Sequence, residues 1–379
     1  MNHTRKKSPI SWVPTAYFAM GLPFVVLNMV TVLMFKGLEV DDKLITFWTS
    51  LILLPWTLKP LWSPFLELFR TKKFFVVVTQ LVTGVTFGLV AFSLGLSHFF
   101  SVSIALLAVI AFSGATHDIA CDGVYMSELS NEDQAKFIGW QGAFYNIAKI
   151  IATGGLVYLA GYLIEANAEA GSLEASKKAW MIILLILSVT MILLGIYHYF
   201  ALPSTQNVKV KKIERNNKEV LKELGQVLMD FFRKTHIVYY ICFIILYRFA
   251  EGFVMKIVPL FLKADRTMGG LGLNEKEIGL YYGTYGAAAF VLGSLLAGYY
   301  IARRGLKNTL FTLCCIFNLP FVVYALFAYL QPESGWVICA GIVFEYFGYG
   351  FGFVGLTLFM MQQVAPGKHQ MAHYAFASG

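Results

Sequence analysis

Ser113-Gly-Ala-Thr-His-Asp-Ile-Ala-Cys-Asp122 sets two carboxylates inside an apolar run from about Ser101 to Met126. The run is long enough for a helix to cross a bilayer. A carboxylate at the centre of such a helix costs roughly 2.5–3.5 kcal/mol on insertion scales. Asp118 and Asp122 are four residues apart, so they share one helix face about a turn apart. Stacked acids repel, and desolvation favours the protonated form. The pair is therefore expected to line a polar cavity as a proton- or cation-binding face. The structural alternative is a pair neutralised by Lys or Arg from neighbouring helices.

The rest of the chain agrees with a membrane setting. Of 379 residues, 58% are hydrophobic and only 14% charged, about half the usual charged share. A soluble chain of this length could not hide so much apolar surface, so the fold class is all-α, polytopic and membrane-embedded. The net charge of +8 is not a nucleic-acid signature, because the basic residues sit in short loops between apolar spans. The five cysteines (Cys121, Cys242, Cys314, Cys315, Cys339) all fall in apolar spans without metal spacing and read as small buried residues. Neither a metal nor a cofactor is expected. The opening MNHTRKKSPISW leads into a full-length span rather than a short cleavable leader.

Ten spans are expected, at 12–35, 44–66, 74–96, 99–127, 135–164, 177–201, 236–262, 276–302, 308–330 and 335–363. An eleventh begins at Met371-Ala-His-Tyr-Ala-Phe-Ala-Ser-Gly379, so the last helix and a half of the natural protein are expected to be absent from this chain. With the N-terminus in the cytoplasm, about 19 basic residues collect on that side and about 7 on the other. Such a bias orients the chain N-in. Trp12, Trp180 and Trp336 stand near span ends, as an interfacial belt requires. The segment 203–235 carries Lys211, Lys212, Glu214, Arg215, Lys218, Glu219, Lys222 and Glu223. It reads as an amphipathic cytoplasmic linker along the membrane surface.

That linker separates an N-terminal six-helix bundle (1–202) from a C-terminal bundle (236–379) left incomplete at its end. The halves look related. Phe18-Ala19-Met20-Gly21 echoes Phe249-Ala250-Glu251-Gly252. Arg70-Thr-Lys-Lys73 is matched by Arg303-Arg-Gly-Leu-Lys307, and Tyr125-Met126 by Phe359-Met360. All three matches lie about 230–235 residues apart. Two six-helix halves joined by a cytoplasmic linker resemble the plan of the major facilitator superfamily.

On that plan spans 1, 4, 7 and 10 line a central cavity, and six of eight intramembrane charges lie in spans 4, 7 and 10. The eight are Lys59 in span 2, Asp118 and Asp122 in span 4, Lys149 in span 5, Arg248, Glu251 and Lys256 in span 7, and Glu345 in span 10. Arg248 and Glu251 are three residues apart and able to pair within their own helix. Alternatively, Glu251 titrates and senses what Arg248 holds. Guanidinium and ammonium groups in a cavity suit an anionic or carboxylate-bearing solute. Lys59 is placed to pair with Asp118 or Asp122, or to hold substrate. His117 has the chemistry of a proton relay, yet lies about 100° round the helix from Asp118. Glu345 has no partner on its own helix. Gln141, Tyr125, Tyr145 and Asn146 offer hydrogen bonds to a sugar-like ligand, although helix packing also accounts for them.

The stretch Ala115-Thr116-His117-Asp118-Ile119-Ala120-Cys121-Asp122 resembles the A-T-Q-D-I-x-x-D pattern of the AmpG-like muropeptide permeases. These form a branch of the superfamily that also holds the acetyl-coenzyme A transporters. His117 replaces the usual Gln. Gly21-Leu22-Pro23 is similar to the branch's G-L-P, and Leu58-Lys59-Pro60-Leu61-Trp62-Ser63-Pro64 to its L-K-x-L-W-x-P. Gly298 with Arg303-Arg304-Gly305 resembles the superfamily's gating loop, with Ala302 where an acid is usual. Glu67 with Arg70 and Lys72 is its departed counterpart after span 2.

The resemblance implies proton-coupled import of anhydromuropeptides across the bacterial inner membrane. Its expected parts are proton coupling by Asp118, Asp122, Glu251 and Glu345, and substrate contacts from Arg248, Lys256, Lys59, Lys149, His117, Tyr145 and Asn146. Arg70, Lys72, Arg303 and Arg304 would serve the gating loops. A monomer in the lipid bilayer is expected, handling a small molecule and protons. The alternatives are a permease of the same fold for an acyl-coenzyme A, drug or siderophore, including export, and a non-transporting membrane sensor. No H-E-x-x-H, G-x-S-x-G or P-loop argues for an enzyme.

Overall fold

A computed structural model describes residues 7–167, 171–203, 217–273 and 275–378. The described residues are helical, without strands. Among the described residues ten helical stretches are long and apolar enough to cross a membrane, by length and composition. They are Pro9–Gly37, Asp42–Leu61, Lys72–Ser93, Phe99–Glu128, Asn131–Ala166, Ser172–Ala201, Ile237–Val254, Gly279–Arg304, Leu306–Leu330 and Gly335–Val364, hereafter spans 1 to 10. Each coincides with an expected span. Helices satisfy their own backbone polar groups, which hydrocarbon cannot do for them.

Several spans are not straight. In span 1 the helix Val13–Val25 contains Pro23 and passes into a π-helical turn at Val26–Val30. Proline removes one backbone donor and crowds the preceding turn, so the ladder reregisters beyond it. Span 2 departs from the continuous helix its hydropathy implies. Pro55 and Pro60 divide it into Asp42–Ile52, Leu54–Leu58 and a tight turn at Lys59–Leu61, and a separate helix Ser63–Phe69 follows. Span 5 loosens into a π-helical stretch at Ile151–Leu156, around Gly154 and Gly155.

Contacts divide the chain into two compact units. The first comprises Met1–Glu128, Phe144–Met229 and Gly367–Gly379. Its core gathers Leu22, Val26 and Phe35 of span 1, Phe87 of span 3, Leu107 and Ile110 of span 4, Ala148 of span 5 and Ile183 and Leu187 of span 6. The terminal helix Gln370–Ser378 belongs to this unit and sets Met371 and Ala375 against Leu66 and Ile119. The amphipathic helix Asn217–Phe232 buries Val227, whose carbonyl lies 3.1 Å from Nε2 of His373. Of the expected linker, residues 204–216 lie outside the described residues.

The second unit comprises Leu129–Ala143 and Asp230–Pro366. Here the first part of span 5 packs on span 8 at backbone distance. A Cβ on Gly139 would stand 2.5 Å from Cα of Leu295. Span 10 approaches span 8 as closely, with Gly350 facing the carbonyl of Phe290. Small residues permit such contacts where hydrophobic driving force between helices is weak.

Candidate functional site

Asp118 and Asp122 lie on span 4, and each is met by an aromatic donor from another helix. Nε1 of Trp56, in the short helix Leu54–Leu58 of span 2, donates to Oδ2 of Asp118 at 2.9 Å. The hydroxyl of Tyr17 in span 1 donates to Oδ1 of Asp122 at 2.7 Å. An indole N–H can only donate, so Oδ2 of Asp118 must keep a lone pair toward it. Oδ1 of Asp118 is buried without a hydrogen-bond partner. A proton carried on Oδ1 leaves the bond from Trp56 undisturbed. Asp122 differs, because a phenol can donate to a carboxylate or accept from a carboxylic acid.

Lys59 sits on the tight turn after Trp56 and is half-buried. Its charge acts on both carboxylates. Tyr145 of span 5 borders the same region. Its ring lies 6.4 Å from Phe24, and it interacts with the charge of Asp118. Asn146 is half-buried and Lys149 is exposed on the same helix. Tyr125 is fully buried between Trp12 and Tyr17, at 6.4 and 5.9 Å.

His117 does not join the carboxylates. It is buried on another face of span 4, with Nε2 2.9 Å from Nε2 of Gln80 on span 3.

In the second unit, Glu251 receives Nε of Arg248 at 2.8 Å, Nη2 of Arg248 at 3.2 Å and the Tyr349 hydroxyl at 2.8 Å. Of the two alternatives their spacing leaves open, the local pair is the one present, and both carboxylate oxygens are occupied. A fork of this kind is a directional, charge-assisted contact. Glu345 is buried and accepts only from the hydroxyl of Tyr324 on span 9, at 2.8 Å. The Lys256 side chain lies outside the described residues. Gln141 is buried with its amide nitrogen unpartnered.

At the loops, Arg70 is exposed with its guanidinium 5.3 Å from the Phe74 ring, and Arg304 lies 5.5 Å from Tyr300. Arg303 is exposed. Glu67 has a buried, unpartnered Oε2. Burial pushes its carboxyl above the usual carboxylate range, against the opposing pull of Lys72 and the backbone N–H of Met371. Among the described residues no group of His, Cys, Asp and Glu could hold a metal ion.

Sequence reasoning missed Trp56, Tyr17, Tyr349, Tyr324 and Gln80. Four of the five donors are aromatic, and each comes from a different span than the acid or histidine it meets. The proximity of Trp56 to Lys59-Pro60-Leu61-Trp62 was the one available signal.

The Major Facilitator Superfamily profile matches residues 15–379. The anhydromuropeptide permease of Escherichia coli (strain K12) is 23% identical over 298 residues, which is 77% of this chain and 55% of that protein. The putative transporter AmpG 1 of Rickettsia bellii is 21% identical over 347 residues, covering 87% of this chain and 77% of its own length. Among solved structures, the fucose:proton symporter FucP of Escherichia coli aligns with a TM-score of 0.70 at 12% identity. The alignment covers 97% of this chain and 87% of that one.

Proposed function

We propose that this chain, which belongs to the Major Facilitator Superfamily, imports anhydromuropeptides across the bacterial inner membrane by proton-coupled alternating access. It is a multi-pass membrane transporter rather than an enzyme. The observation that carries proton coupling is the buried, unpartnered Oδ1 of Asp118 beside an Oδ2 fixed by Trp56. Glu345, held by one phenol, is the second candidate. Asp122 shares its phenol partner with either protonation state, and both oxygens of Glu251 are taken up by Arg248 and Tyr349.

Protonation of Asp118 removes a charge that Lys59 otherwise feels and shifts which conformation is preferred. Inward proton movement supplies about 2.3 kcal/mol per charge per 100 mV, enough to accumulate solute. Two bundles rocking about a central site perform the exchange, with the Arg70, Lys72, Arg303 and Arg304 loops on the cytoplasmic side and the chain working as a monomer with its N-terminus inside.

The substrate class rests on the span 2 and span 4 motifs and on the similarity to the Escherichia coli permease. Arg248 presents a partly exposed guanidinium suited to a peptide or sugar carboxylate. Vesicles energised by a proton gradient test it. Labelled N-acetylglucosaminyl-anhydro-N-acetylmuramyl tripeptide is expected to accumulate, and an acyl-coenzyme A is not. Accumulation of the acyl-coenzyme A alone would overturn the substrate assignment.

A further inference from the structure

Away from the carboxylates, four spans of the first unit are tied by one buried polar chain. Nε2 of His117 on span 4 lies 2.9 Å from the Gln80 amide on span 3. The other end of that amide lies 2.9 Å from Nδ1 of His198 on span 6. Nε2 of His198 lies 2.9 Å from Oγ1 of Thr15 on span 1. Gln80 and His198 are fully buried and His117 is 2% exposed. No carboxylate bonds to either ring, so a proton added here would be an uncompensated charge in a dry interior. The chain is therefore neutral.

Two arrangements of the amide are open to it. In one, the amide nitrogen donates to His117 Nε2 and His198 Nδ1–H donates to the amide oxygen. His117 then carries its proton on Nδ1, which is buried without a partner. The single Thr15 hydroxyl proton must also serve both His198 Nε2 and the Trp12 carbonyl, 3.2 Å away. With the amide turned over, His117 Nε2–H donates to its oxygen and its nitrogen donates to His198 Nδ1. His198 Nε2–H then donates to Thr15, and Thr15 to Trp12. Both ring N–H groups and the hydroxyl are used, and of the ring nitrogens only His117 Nδ1 is left bare, as a lone pair; the second amide N–H is common to both arrangements. A bare acceptor is more easily tolerated than a bare donor.

This ties span 4 at the residue next to Asp118. We infer that Gln80 is a positioning residue for proton coupling: by bridging two neutral histidines it fixes the rotation of span 4. It thereby sets the reach of Asp118 to Trp56 and of Asp122 to Tyr17. The inference rests on the reading that Asp118 takes up the coupled proton. Several other groups act on the two carboxylates or border span 4. Span 1 contributes Tyr17, span 2 Lys59, span 5 Tyr145, and span 4 itself Cys121. Lys72 of span 3 and Met371 of the terminal helix pack at Gly123, and His198 of span 6 faces His117.

The test uses the full chain in lipid nanodiscs. The part of the tryptophan emission lost in Trp56→Phe reports on Asp118 as pH is varied. Gln80→Leu is expected to shift its midpoint by about half a pH unit or more, roughly threefold in proton affinity. His117→Gln should keep the wild-type midpoint, because an amide also donates and accepts. ¹⁵N spectra of histidine-labelled wild type should show both rings neutral with the proton on Nε2 between about pH 5 and 8, below and above the ordinary histidine range. A folded Gln80→Leu with an unmoved midpoint overturns the inference, as does a charged ring within that range. The two rings are assigned among the seven histidines by the signals lost in His117→Gln and His198→Gln, so a charged His117 or His198 overturns the inference even where Gln80→Leu fails to fold. A wild-type emission flat in pH counts instead against proton binding at Asp118.

Discussion

One carboxylate oxygen fixed by an indole and the other buried and bare makes Asp118 unlike the other acids of the spans. Tyr17 serves Asp122 through a single bond, so Tyr17→Phe leaves Oδ1 of Asp122 without a donor while hardly changing shape. A buried acceptor left unsatisfied costs about 1–3 kcal/mol. Thermal unfolding in detergent is expected to show that loss, and an unchanged midpoint would contradict it. Glu67, outside the spans, gives a pH dependence. Its folded-state pKa is raised by burial, so the folded chain takes up the proton more readily than the unfolded one. Its contribution is fully present below the ordinary glutamate value and is lost as pH rises through the raised folded value. Glu67→Gln should therefore flatten the melting profile above about pH 4.5 and raise the midpoint at neutral pH. The two aspartates were legible because charge is conspicuous in an apolar run. Their donors were not, since among 33 Phe and 20 Tyr no single ring is marked until the helices pack.

At the scale of elements, hydropathy located all ten spans because a crossing helix must be long and apolar. It could not show where those helices bend. The breaks in span 2 follow from Pro55 and Pro60. The π-helical turns at Gly279–Tyr285 and Met360–Val364 carry no proline and leave no periodicity to read. Close helix approach was equally hidden, because glycine both permits bending and permits contact. Gly350 faces the Phe290 carbonyl, whereas a Cβ on Gly154 would meet nothing within 4 Å. Gly350→Ala is expected to cost about 1–3 kcal/mol by overpacking. Gly154→Ala should be neutral or gain up to about 1 kcal/mol. Paired thermal melts compare them, and equal effects would show that the span 8 to span 10 contact does not limit stability.

Over the whole molecule, the family makes the chain a transporter, and the proposed proton coupling rests on its buried acids. The polar face of span 4 was readable from spacing alone. The separation of His117 from that face was only half readable: its helical angle keeps it off the aspartates, but Gln80 lies 37 residues before it and bonds in turn to His198, 118 residues further along the chain than Gln80. Proton coupling at Asp118 is tested most directly in proteoliposomes, by measuring protons taken up per anhydromuropeptide imported in wild type, Asp118→Asn and Asp122→Asn. Wild type is expected to move protons with solute, and Asp118→Asn to lose at least about tenfold of that coupling, equivalent to about 1.4 kcal/mol, with Asp122→Asn retaining more. Proton uptake per solute in Asp118→Asn equal to that of wild type would contradict it.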